Sequence, residues 1–158
     1  MMKGPIHIRD MREGDMVAFD AVGLESYRAA EPVILTVGKG WAVENEASQI
    51  VAIGGIIPSH PGSGESWFII EPSLQEYLSG LRALSFIRSC RDFIISAFVS
   101  LDLHRIQAHI IASPATGSYQ SARFVRCMGF VSEGIRQAWG PSGEDMEEFV
   151  LFPQKEEF

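Results

Sequence analysis

The chain has 158 residues, of which 46% are hydrophobic and 21% charged, with a formal net charge of −7. That balance describes one globular domain able to bury a core, and excludes a disordered segment. The acidic excess argues against nucleic acid and against anionic membrane surfaces as partners, because both are held by clustered Lys and Arg.

In chain order, Ile6-His7-Ile8-Arg9 alternates and predicts a short first strand. Asp15 stands where it can cap a helix over Met16 to Tyr27, with Phe19, Val22 and Leu24 on its apolar side. Pro32-Val33-Ile34-Leu35 reads either as a second short helix or as an extended segment, punctuated by Gly38 and Gly40. Trp41 to Glu44 and Gln49 to Ile53 flank the polar turn 45–48 and predict a hairpin, with Gly54-Gly55 marking a bulge or a close backbone approach. Pro58 to Gly64 reads as a loop. Glu65 to Ile70 is apolar enough for a central strand covered on both faces.

Pro72 to Gly80 leads into the longest helix, over Leu81 to Leu101, with Ile87, Cys90, Ile94, Ala97 and Leu101 on one stripe. Arg105 to Ile111 alternates as a strand. Ser118 is placed to cap a helix over Tyr119 to Met128, and Gly129 stands where a left-handed residue ends it. Phe130 then re-enters the core, Glu133 to Gln137 forms a strand, and Glu148 to Phe152 is the last one. The tail from Pro153 to Phe158 is charged and expected to be loose. Cys90 and Cys127 fall on predicted helices among apolar neighbours and are expected as buried free thiols, with no metal-ligand spacing. With no signal peptide and no apolar run near the length of a membrane span, the expectation is a soluble intracellular protein.

The order of elements implies an α/β domain spanning 1–158, with a mixed, mostly antiparallel twisted sheet of six to seven strands and helices on both faces. Because the long helix joins them, Glu65–Ile70 and Arg105–Ile111 should be parallel neighbours through a right-handed crossover.

Arg105-Ile106-Gln107-Ala108, then Ser118, Ser121 and Arg123, then Gly129-Phe130-Val131-Ser132-Glu133-Gly134 together resemble the C-terminal half of the GNAT superfamily of N-acetyltransferases. The similarity is greatest to the branch acting on protein N-termini, whose pattern is R-I-x-A, a helix opening N-x-x-S, and G-F-x-x-E-G. Ser118 stands here for the Asn. The match runs from Arg105 to Gly134, and the order of elements fits nearly the whole chain.

The resemblance implies that the two parallel strands splay apart and that acetyl-coenzyme A lies in the gap. It would be bordered by Ile70, Glu71, Ile110 and the helix start at Ser118, with Ser121 one turn on. The pyrophosphate would meet the N-terminus of the long helix. The family's Gln/Arg-x-x-Gly-x-Gly/Ala loop is degenerate here, because Leu78 stands for the first Gly and only Gly80 remains. Glu71 and Glu76 add negative charge nearby, leaving Arg82 as the compensating cation. The expectation is weak coenzyme A binding that depends on Arg82.

The family's Tyr acid is replaced by Val125, with Tyr119 out of register. Glu71 is the expected catalytic base, ahead of Glu65 and His60, while His109 reads as a sheet-face residue. The acceptor would be a small amine or a protein N-terminus. A second resemblance, in Ala52-Ile53-Gly54-Gly55, Trp67-Phe68-Ile69 and Leu78-Ser79-Gly80, is to divergent acetyltransferase-like proteins of tailed phages. It implies the alternative of an inactive protein-binding or virion-associated domain, in the host cytoplasm or the virion, whose groove is filled by Leu74, Tyr77 or Tyr119.

Overall fold

The computed structural model describes residues 4–19, 28–112 and 118–153, the side chains of 118–120 excepted. Its strands are β1 (His7–Asp10), β2 (Lys39–Glu44), β3 (Ile50–His60), β4 (Ser63–Ile70), β5 (Arg105–Ile111), β6 (Val131–Arg136) and β7 (Met146–Leu151). They form one sheet in the order β1-β2-β3-β4-β5-β7-β6. Among the described strands only β4 and β5 pair in parallel. The described helices are α1 (Asp15–Ala18), α2 (Glu31–Val37), α3 (Pro72–Tyr77), α4 (Gly80–Ser100) and α5 (Ser118–Cys127).

The parallel pair follows from α4. Its 21 residues span about 30 Å, enough to carry the chain from the end of β4 back to the start of β5. Phe86, Cys90, Ile94 and Ala97 of α4 are buried on one sheet face with Trp41, Val43, Ile56, Ile106 and Phe149. Ala122, Val125 and Met128 bring α5 onto the same face. The opposite face is closed by Met11, Met16, Phe19 and Ile34 around Ile53.

Several expectations change in detail. Pro32 opens α2, so the ambiguous segment is helical, as Pro at the first turn permits. The expected loop over 58–64 is mostly strand, because β3 runs to His60 and β4 starts at Ser63. Pro58 is tolerated there beside an irregularity between Pro58 and His60. Gly54 makes no bulge; a Cβ on it would stand 2.4 Å from the Phe68 ring and 2.8 Å from Trp41, so it admits two aromatic rings. Asp15 is the first residue of α1 rather than its cap, and its carboxylate turns instead to Arg9 and to the Arg12 amide. Pro72–Tyr77 is a helix of its own.

Cys90 is buried, but Cys127 is exposed, because α5 spends its inward positions on Ala122, Val125 and Met128. Gly129 adopts φ +98° and Phe130 is only 3% exposed, so the helix–Gly–Phe reading holds. Of the helix expected over Met16 to Tyr27, α1 ends at Ala18, where Phe19 turns extended; residues 20–27, the Ser118 cap, the Tyr119 side chain and the tail 154–158 lie outside the described residues or side chains.

Candidate functional site

The parallel pairing of β4 and β5 is short. Ser63, Gly64 and Glu65 pair with Arg105, Ile106 and Gln107, and no register pair follows. Ser66 closes the paired segment, its hydroxyl donating to the Gln107 carbonyl at 3.1 Å. Beyond it the strands part, while β4 stays paired with β3 up to Ile70 and β5 with β7 up to Ile111. The result is a V whose closed end is at Glu65 and whose open end lies beyond Ile70. Buried backbone groups need partners, so the facing edges of such a V are ready to take up amides of a ligand.

On the helical face, aromatic rings span the V. Phe68 of β4 stacks on Phe124 of α5, centroids 5.5 Å apart and planes 10° from parallel, and both contact Phe86. Leu74 is fully buried and Tyr77 packs against the same cluster. The rings meeting across the gap are thus Phe68 and Phe124, two residues that the sequence pattern did not single out for this place.

At the open end, Glu71 caps α3 from an extended backbone, and its carboxylate accepts from the Ser73 hydroxyl at 2.6 Å. It lines a cavity of about 440 Å³ with Arg9, Asp15, Phe19, Glu44 and Ile50. Gly80 begins α4 at φ +53°, in the left-handed region that favours glycine. Arg82, in the first turn, lies over the Tyr77 ring at 4.7 Å and lines a cavity of about 530 Å³ shared with Ile6, Ile8 and Phe93. It therefore faces the β1 edge of the sheet. Ile70 and Ile110 border the V as half-buried residues, and Ser121 is exposed on α5. Ser118 starts α5, with its side chain outside the described set.

At the closed end, on the face away from α4, polar groups converge. His109, 7% exposed at its side chain, has Nδ1 at 2.6 Å from Oε1 of Glu65, whose side chain is 42% exposed. Gln107 donates to the other Glu65 oxygen at 3.3 Å. The second imidazole nitrogen faces Glu148 at 3.9 Å, and the Trp139 ring covers the imidazole at 4.2 Å. Glu148 is buried and held by Arg105 at 3.3 Å and by Arg136. Arg105 also grips Glu133 at 2.6 Å, a bond that draws the Glu133 carboxyl below its usual range and raises Arg105.

Period two does predict that Arg105, Gln107 and His109 share a face. The pairing that sets Glu65 and Glu148 on either side of them is not local information. Among the described residues no cluster suited to a metal ion occurs.

No family model and no curated protein sequence matches the chain. Solved structures do. The ribosomal-protein-S5-alanine acetyltransferase of Vibrio fischeri superposes with a TM-score of 0.67 at 16% identity, covering 95% of this chain and 94% of that one. The Vibrio cholerae spermidine N-acetyltransferase, solved in complex with CoA and spermine, gives 0.63 at 16% identity over 94% and 95%. The spermidine/spermine N-acetyltransferase SpeG of the same organism, with manganese ions, gives 0.63 at 16% over 94% and 92%. The architecture defined by the seven-stranded sheet and its parted parallel pair is thus the GNAT acetyltransferase fold.

Proposed function

We propose that this chain is an acetyl-coenzyme A-dependent N-acetyltransferase acting on a primary amine, either a small amine or a protein N-terminus. One observation carries the reading: the V between β4 and β5 stands in a fold whose solved examples include one holding CoA and spermine. The pantetheine arm would lie between Ile70 and Ile110. The phosphates would stand near the start of α4 at Gly80, with Ser118 and Ser121 contributing from α5, and Arg82 would have to leave the Tyr77 ring to reach them. The free N–H groups and positive dipole end of a 21-residue helix suit that place.

Glu71, the base expected from sequence, borders the open end, and Glu71→Gln tests that role directly. Placing the phosphates at the open end sends the arm toward Glu65, so the thioester would come to rest near the closed end. A second reading is favoured by the Phe68–Phe124 stack: a domain whose groove stays shut and which binds a protein partner, a virion component included.

Calorimetric titration with coenzyme A and acetyl-coenzyme A separates the two. The enzyme reading expects saturable binding and acetyl-coenzyme A-dependent release of free thiol with spermidine or an alanine-initiated peptide. Absence of binding at millimolar ligand would defeat it and leave the binding domain.

A further inference from the structure

We infer that Glu65 is the group that takes the proton from the acceptor ammonium, that His109 is its positioning residue, and that Trp139 walls the acceptor site. This rests on the acetyltransferase reading above and deepens it by assigning the acceptor half of the site.

The V has two ends, and they differ chemically. Glu71 and Glu65 stand six positions apart on one extended segment, or roughly 20 Å at strand rise. Only Glu65 lies where the strands part. Its carboxylate is half open to solvent, yet both oxygens are held from β5, by His109 at 2.6 Å and Gln107 at 3.3 Å. A side chain that is accessible and also fixed is what proton transfer in a defined geometry needs.

A contact of 2.6 Å between an imidazole nitrogen and a carboxylate oxygen requires a proton between them, since two bare acceptors repel. Nδ1–H therefore donates to Glu65, and Nε2 is left toward Glu148. The acids facing His109 are Glu65 on β4 and Glu148 on β7; Glu148 is held in turn by Arg105 on β5 and Arg136 on β6, and Arg105 also binds Glu133. Arg105 and Arg136 occupy the Glu148 oxygens beside the imidazole.

Trp139, from the turn joining β6 and β7, is half exposed and lies on the imidazole at 4.2 Å. The Arg136 guanidinium lies over the same ring at 5.7 Å, so the indole already takes a cation, as an acceptor site for an ammonium requires.

In the transfer, the acceptor ammonium gives one proton to Glu65, and the free amine attacks the thioester carbonyl carbon. The C–N bond forms and the C–S bond breaks. The second nitrogen proton passes to the departing sulfur, leaving amide, free thiol and one proton for solvent through Glu65.

The test compares wild type with Glu65→Gln, His109→Gln and Glu71→Gln, using spermidine and an alanine-initiated peptide as acceptors. Glu65→Gln should lower kcat/KM by about 100-fold or more and leave coenzyme A affinity within about threefold. His109→Gln should displace the acid limb of the pH–rate profile, which a purely structural role would not do. In the wild type, imidazole nitrogen NMR should show the proton on Nδ1, and the Nδ1 signal should change in Glu65→Gln. The proposal is overturned if Glu65→Gln keeps wild-type rates, if Glu71→Gln alone abolishes them, or if the His109 Nδ1 signal is the same with and without Glu65. A wild type that binds no coenzyme A shows instead that the acetyltransferase reading failed, and the base assignment goes with it.

Discussion

Cys90 and Cys127 differ by environment alone. Burial pushes the Cys90 thiol up to about 12, where thiolate is scarce, whereas Cys127 is exposed on α5. A thiol reagent at neutral pH should therefore label one cysteine rapidly in the native protein and a second only on unfolding. Fast labelling of both would contradict the packing of α4. Asp15 is a second case. Burial pushes its carboxyl up, but the Arg9 guanidinium and the Arg12 amide outweigh this and hold it below the usual carboxylate range. A depressed folded value contributes stability above the unfolded pKa, near 3.9, that is lost as pH falls through the folded value. Asp15→Asn should cost about 1–3 kcal/mol at neutral pH and flatten the acid limb of the stability profile, as followed by urea unfolding at several pH values. Equal acid limbs in the two proteins would show that the Arg9 pair carries none of that dependence.

Among the elements, α5 and the strand after it do the most to shape the site. Phe130, 3% exposed beneath the end of α5, should cost about 3–5 kcal/mol when cut to Ala, and a loss under about 1 kcal/mol would show a loosely filled core. Phe124 has the opposite role at the V. Its stack on Phe68 adds about 0.5–1.5 kcal/mol of aromatic attraction, which a ligand entering from the helical face has to overcome. Phe124→Ala should therefore tighten coenzyme A binding by up to about tenfold. Titration calorimetry reads this directly, and weaker binding in the variant would mean that Phe124 lines the cofactor site instead of obstructing it.

At the scale of the whole molecule, a ligand that binds only the folded chain stabilises it by mass action. At 100 times its dissociation constant, coenzyme A should add about 2.7 kcal/mol, or roughly 5–10 °C in melting temperature for a domain of this size. A melting curve that does not move would place the ligand outside this fold. No described helix is long and apolar enough to cross a membrane.

The helix that ends at Gly129, the buried Phe130, the hairpin of β2 and β3 and the parallel step across α4 were all legible in the chain. Each rests on local spacing or on crossover geometry, physics that acts within a few neighbours or along one connection. The strand boundary at His60 and the exposure of Cys127 were not, since packing overrides composition at both. The closed end of the V was out of reach for a different reason. Glu65 and His109 lie 44 residues apart, and Arg105 and Glu148 43 apart. Which side chains meet there depends on where β4 leaves β5 and on the register of β7, and those are settled only when the whole sheet packs against its helices.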